Sequence, residues 1–307
     1  MSLSERKIWL DGALVPWESA NVHVMSQSIQ RGSLVFDVMA CYGPPGEVRI
    51  LGMREHVDRF LGSAELNGMQ LGLGRDDLIA AIGEGVRANP GCQVVKISGY
   101  HSGVSLDVLP RGQRPSVAIA AFSVRDIYGA DLEGELPPAR LQVAETIKIP
   151  PTVLSPQVKI AAGYTGAAIA KQRARRDGFD DILFLDAQGR VAESSTQSFF
   201  LVQAGSLHTA PVDHVLAGVT RRAVLELAAD EGIAVEEKPP ERDQLALADE
   251  AFLTGTTIDV WPVARIDARE FPPPVPGPVT ERLARRFARM IAGEDAAFSP
   301  RWMQAVG

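Results

Sequence analysis

Two hydrophobic periods alternate along this chain, and each predicts its own kind of element. Near the N-terminus, apolar runs at Lys7–Leu10 and Ala13–Val15 flank Asp11-Gly12, a dipeptide that accepts positive φ and predicts a two-residue hairpin turn. Val35–Tyr42 is a further apolar run of strand length. The period then changes: Val57, Phe60, Leu61 and Ala64 stand at i, i+3, i+4 and i+7, one apolar stripe of a helix with charges between. A second helix is predicted over Asp76–Ala88, stopping at Asn89-Pro90, because proline drives the residue before it out of the helical region. Val94–Ser98 and Val117–Phe122 read as strands again.

Residues 123–138 break the pattern with acidic side chains, two Gly and two Pro in no clear period. Beyond them, Tyr164–Asp177 is an Ala-rich helix closed by Gly178, and Thr220–Glu231 is a helix closed by Gly232. Ile182–Leu185, Val191–Ser194, Phe199–Val202 and Glu250–Thr254 are short apolar strands. Val279–Ala292 is a final helix with Leu283, Phe287, Met290 and Ile291 on one face. The pattern predicts an α+β N-terminal domain over 1–122, an interdomain loop over 123–138 and an α/β domain over 139–307.

Composition narrows the function classes. The chain has 307 residues, 46% hydrophobic positions and a net charge of −7, which excludes a disordered chain and argues against a general nucleic-acid or anionic-membrane binder. Two cysteines without a C-x-x-C are too few for a disulfide framework, and the five histidines show no metal-ligand spacing. No apolar run reaches the ~18 residues of a membrane span, so a cytoplasmic protein is expected. No G-x-S-x-G, H-E-x-x-H or Walker A loop occurs. Of the 31 basic residues only six are lysines, so chemistry that needs a nucleophilic amine has few candidates.

Four segments stand out. Val158-Lys159-Ile160 sets an amine between apolar neighbours, where desolvation lowers an amine's pKa. Arg190-Val191-Ala192-Glu193 places a carboxylate in an apolar strand. Leu216-Ala217-Gly218-Val219-Thr220-Arg221 opens a helix, whose free N–H groups suit an anion, and Leu253-Thr254-Gly255-Thr256-Thr257 runs a strand into a turn able to present several amides. Singly, each has an ordinary structural reading: a surface lysine, an edge charge, an N-cap, a turn.

In this order, with a Tyr five residues after the Lys, the four segments resemble the class IV pyridoxal-phosphate aminotransferases. The stretch KIAAGYTGAAIAKQRARRDGFDDILFLDAQGRVAESS is similar to that family's Lys-to-Glu signature, and REHVDRFLGSAELNGM to its R-x-x-x-H-x-x-R-L helix. The resemblance covers roughly residues 7–293 and implies the D-amino-acid-aminotransferase-like fold, fold type IV, with pyridoxal 5′-phosphate as cofactor. It implies Lys159 as the amine of the internal aldimine, Glu193 at the pyridine nitrogen and Tyr164 at the phenolic oxygen. Arg59, Val219, Thr220 and Thr256 would hold the phosphate, and Leu216 would pack on the ring. Lys148, in Ile-Lys-Ile-Pro-Pro, is also apolar-flanked, but nothing follows it at the family spacing.

The substrate side departs from the family. Gln30-Arg31-Gly32 differs from the branched-chain pattern, Phe36-Asp37-Val38 looks closer to the D-amino-acid and (R)-amine branches, and Val94-Val95-Lys96 replaces a Y-x-R strand. Phe36, Arg31, Lys96 and Thr257, with His101, are the candidate substrate contacts. The activity implied is a ping-pong exchange between an amino donor and a 2-oxo acid acceptor in a homodimer. A lyase of the aminodeoxychorismate type is the alternative.

Overall fold

The computed structural model describes residues 2–110, 112, 114–128 and 136–306. The first part of the chain runs β1 (Lys7–Leu10), β2 (Ala13–Pro16), α1 (Gln27–Arg31), β3 (Val35–Tyr42), β4 (Arg49–Leu51), α2 (Met53–Leu66), α3 (Arg75–Ala88), β5 (Val94–Tyr100), β6 (Ser116–Phe122) and α4 (Val124–Tyr128). It continues through β7 (Ala139–Val143), α5 (Thr165–Arg176), β8 (Asp181–Leu185), β9 (Val191–Ser194), β10 (Ser198–Gln203), β11 (Ser206–Thr209), α6 (Val219–Asp230), β12 (Val235–Glu237) and α7 (Gln244–Leu247). It ends with β13 (Glu250–Gly255), β14 (Asp259–Ile266), β15 (Arg269–Glu270), α8 (Pro278–Ala292), α9 (Ser299–Trp302) and β16 (Met303–Ala305).

Two compact units result. Unit 1 is Met1–Gly134 with Val158–Ala162 and Met290–Gly307; unit 2 is Glu135–Gln157 with Gly163–Arg289. Two segments grouped by sequence with the C-terminal domain thus lie in unit 1. The physical reason is strand pairing: Ile160 bridges Val35, and β16 pairs with β4. The predicted interdomain loop begins with α4, whose Asp126 pairs with the buried Arg6 of unit 1. Residues 129–135 of that loop lie outside the described residues.

Unit 1 is built on a seven-stranded antiparallel sheet in the order β16-β4-β3-β5-β6-β1-β2. The predicted hairpin forms with positive φ at both turn residues, 49° at Asp11 and 101° at Gly12. Along β3 the period of two buries Val35, Asp37 and Met39 on one face. The carboxylate of Asp37 therefore enters the interior on the same strand face as two core side chains. Helix α2 packs on β3, and α3 packs on β1 and β6. The stripe predicted on α2 is buried at Val57, Phe60 and Ala64.

Unit 2 holds a nine-stranded mixed sheet. Strands β10, β13, β14, β7, β8 and β9 pair in succession, and β9 pairs back to β10 through Glu193 and Ser198, closing a ring. Alternation on β8 sorts two cores. Leu183 and Leu185 join Leu141, Val191, Leu201 and Leu253, while Ile182 and Phe184 pack on Ala167, Ala170 and Ala174 of α5. The alanines let the helix lie close to the sheet. Helix α8 starts where the Glu250 carboxylate accepts from the Val279 and Thr280 amides at 2.9 and 2.7 Å, satisfying two of the helix's free donors.

Candidate active site

In unit 1, Lys159 is 8% exposed, with its backbone clamped on two sides. Its amide donates to the buried Ser63 Oγ of α2 at 3.0 Å, and its carbonyl accepts from the Phe36 amide of β3 at 3.0 Å. Its Nζ lies 5.1 Å from the Phe36 ring centroid, and the Nζ of Lys96 lies 4.9 Å from the same centroid. Gly32 makes room for this crossing. Its φ is +64°, an added Cβ would stand 3.1 Å from the Ala162 Cβ, and its carbonyl accepts from the Ala162 amide at 3.1 Å.

Helix α2 turns a second, polar row toward β3. His56, Arg59 and Ser63 stand at i, i+3 and i+7, and the first two converge on Asp37. Arg59 donates Nε to Oδ2 and Nη2 to Oδ1, both at 2.8 Å, a bidentate fork. His56 Nδ1 lies 2.7 Å from Oδ1, and the Val38 amide donates to the same oxygen at 2.8 Å. Burial alone would raise the Asp37 carboxyl. The charges of Arg59 and His56 and their hydrogen bonds outweigh it and hold the group far below the usual carboxylate range. Burial lowers the His56 imidazole, against the pull of Asp37, with Arg59 and Lys159 adding to the lowering. Asp37 and His56 were not singled out as site residues from the sequence. A carboxylate inside an apolar strand and a His three residues before an Arg on a helix were the available signals.

In unit 2, Glu193, Ser198 and Thr254 are consecutive register partners across β9, β10 and β13. Glu193 is 7% exposed, and its Oε1 is ion-paired with Lys148 Nζ. The start of α6 comes against this row. An added Cβ on Gly218 would meet Ser198 Oγ at 2.8 Å, so only glycine lets the backbone pass. Val219 and Thr220 are buried at the head of the 12-residue helix, and Leu216 is half-buried just before it. Arg221 is engaged within the protein: its guanidinium donates to the Ala210 carbonyl at 2.9 Å and the Glu237 carboxylate at 2.7 Å, anchoring the helix. Thr256 is half-buried and Thr257 exposed in the turn after β13, and Tyr164 is half-buried at the head of α5.

The donor set fits a phosphorylated cofactor. The hydroxyls of Ser194, Thr220 and Thr254 are buried and have no hydrogen-bond partner among the described residues. A buried hydroxyl without a partner costs about 1–3 kcal/mol, and a phosphate at the α6 N-terminus would supply an acceptor where the helix already favours an anion. Among the described residues no group of three or more His, Cys, Asp or Glu could hold a metal ion.

Comparison with known proteins decides the family. The model of the family amino-transferase class IV matches residues 34–266. The chain belongs to the class IV aminotransferases. It is a pyridoxal-phosphate-dependent transaminase of fold type IV. A branched-chain-amino-acid aminotransferase of Pseudomonas aeruginosa is 31% identical over 302 residues, 97% of each chain. A branched-chain aminotransferase of Thermoproteus uzoniensis, solved with norvaline, superposes with a TM-score of 0.89 at 32% identity, over 98% of this chain and 99% of that one. The holo form of the Thermobaculum terrenum enzyme, in its PLP form, gives 0.89 at 28% identity over 100% of both chains. These relatives are transaminases, and they do not favour the lyase alternative.

The substrate candidates scatter over unit 1 and the turn after β13. Phe36 lies beside the Lys159 amine, and Lys96 shares its ring. Arg31 is exposed and donates to the Leu106 carbonyl at 3.1 Å, bracing the loop after β5. His101 is buried beside Ser28, whose Oγ accepts from the His101 amide at 2.8 Å.

Proposed function

We propose that this aminotransferase moves the amino group of an apolar 2-amino acid to a 2-oxo acid, with Lys159 as the reacting amine. The observation that carries the reading is the placement of Lys159: buried, clamped by Ser63 and Phe36, and beside an aromatic face. Pyridoxal phosphate, when bound, supplies the electron sink that makes the substrate Cα–H acidic. Lys159 Nζ would be the base that takes the proton from the substrate Cα and the acid that gives it back. Glu193 would face the ring nitrogen, and Tyr164 would donate to the phenolic oxygen. On the family resemblance, Arg59, fixed by Asp37, would hold the phosphate, as would Thr220, Thr256 and the α6 amides, with Val219 and Leu216 as apolar neighbours. The Phe36 ring gives an apolar surface for the side chain, which suits the branched-chain substrates of the relatives. Lys96 and the Thr257 amide supply partners for a substrate carboxylate.

The active form proposed is a homodimer. Val104, Leu106, Val108 and Leu109 are 58%, 83%, 68% and 71% exposed in one loop, near the exposed Ile29 and Val24. The loop is pinned by Arg31 on the Leu106 carbonyl and by Gln27 Nε2 on the Val108 carbonyl at 2.9 Å, so it presents a fixed apolar patch suited to a second copy. The two free thiols suit a reducing compartment, the cytoplasm. Among the described residues no helix is long and apolar enough to cross a membrane.

A two-step spectrum tests the reaction. L-leucine added to the holoenzyme should remove the visible band of the bound cofactor, and a 2-oxo acid should restore it. Release of pyruvate from aminodeoxychorismate, with no such cycle for any amino acid, contradicts the reading.

A further inference from the structure

Lys148 was set aside as a reacting amine because nothing follows it at the required spacing, and the structure gives it other work. We infer that Lys148 is a positioning residue, which orients the Glu193 carboxylate and keeps the shared proton on the cofactor's ring nitrogen. The inference rests on the assignment of Glu193 to that nitrogen.

Three observations carry it, all within unit 2. Lys148 Nζ is ion-paired with Oε1 of Glu193, which leaves Oε2 for a second partner. Lys148 itself is fixed, because its amide donates to the Leu185 carbonyl at the end of β8 at 2.8 Å. Glu193 pairs with Ser198 on β10, and its neighbour Ser194 with Leu183 on β8, so the backbones of both ion-pair partners are anchored at β8. The side chains are 24% and 9% exposed, so water screens the pair only in part.

The chemistry follows from where a proton sits between a carboxylate and a pyridine. With the proton on nitrogen the pair is charged; with the proton on oxygen it is neutral, and a dry site favours the neutral arrangement. An ammonium bonded to the carboxylate lies nearer to it than to the nitrogen. Moving the proton away from the carboxylate, onto nitrogen, is the arrangement that this cation favours. Lys148 thus opposes collapse to the neutral pair, and the protonated ring is the form that withdraws electrons. It also fixes the rotamer of Glu193, as an outer group does for a ligand.

The test uses holoenzyme rebuilt with pyridoxal phosphate labelled with 15N in the ring. In wild type the 15N resonance should lie at the protonated position. In Lys148→Met and Lys148→Gln it should move toward the unprotonated position, and cofactor affinity should fall by about 10–100-fold, the size seen when an outer orienting group is removed. Lys148→Arg should restore both, since it keeps the charge. An unchanged 15N position in both neutral variants, or tighter cofactor binding in them, overturns the inference. Glu193→Gln separates the two levels. If it moves the resonance while the Lys148 variants do not, only the role of Lys148 fails; if it leaves the resonance in place, the assignment of Glu193 fails first. Two neutral substitutions of different polarity, with apo-protein melting measured alongside, keep the result readable if one of them misfolds.

Discussion

Asp37 is the residue on which the proposed phosphate side depends. It is fully buried, and it holds Arg59, whose side chain is 10% exposed, by two hydrogen bonds. Removing the carboxylate strands a nearly buried guanidinium. Asp37→Ala should therefore cost about 3–5 kcal/mol in denaturant unfolding of the apo protein, whereas surface substitutions should cost little. Thr220 makes the opposite prediction. Its hydroxyl is buried without a partner among the described residues, so Thr220→Val removes a polar burden from the apo protein. Apo stability should hold or rise, while affinity for pyridoxal phosphate should fall by about tenfold or more, the worth of one hydrogen bond to a charged group. Equilibrium unfolding and cofactor titration, run on the same two proteins, read both effects.

At the scale of elements, helix α2 does two jobs with two faces. Val57, Phe60 and Ala64 fill the core, and His56, Arg59 and Ser63 reach Asp37 and the Lys159 amide. This gives α2 a pH signature. The folded pKa of His56 is lowered from 6.5, so the unfolded chain takes up its proton first as pH falls. The stability tied to neutral His56 is complete above 6.5 and is lost as pH drops from there toward the folded value. Apo wild type should lose stability between pH 7 and 5 more steeply than His56→Asn; equal slopes would contradict the assignment. His101, also lowered by burial, adds to the slope in both proteins.

The same helix shows what the sequence could tell. Its apolar stripe was legible from a local period, as were β3, β9, α5, α6 and α8, because each buries a face that its own neighbours define. Seven strands were not: β4, β7, β11, β12, β14, β15 and β16. β14 contains Pro262, which reads as a strand breaker yet stands opposite Phe252 in the ladder. β12 is exposed throughout, and β16 is three residues long and exists only through pairing with β4, some 250 residues earlier in the chain. In the proposed site, the lysine, the glutamate and the two turns are named from motif order. Asp37, His56 and the bond from Lys148 to Glu193 are not, because each depends on a strand face or on contacts distant in sequence.

For the whole molecule, the proposed homodimer predicts a concentration-dependent mass and a specific way to break it. Leu106→Asp, at an 83% exposed position, should leave folding intact and shift sedimentation toward monomer. A monomeric wild type with full activity would contradict the proposed partner. One amine among six, that of Lys159, is the proposed reacting group. Reducing the holoenzyme with borohydride, digesting it and locating the retained cofactor by mass spectrometry reads that amine directly. The mass of the reduced cofactor should lie on the peptide carrying Lys159 alone, and Lys159→Ala should abolish the visible band and lower transamination by about 10²–10⁴-fold or more. Recovery of the cofactor on Lys148 or Lys96, with activity kept in Lys159→Ala, would contradict the assignment of Lys159.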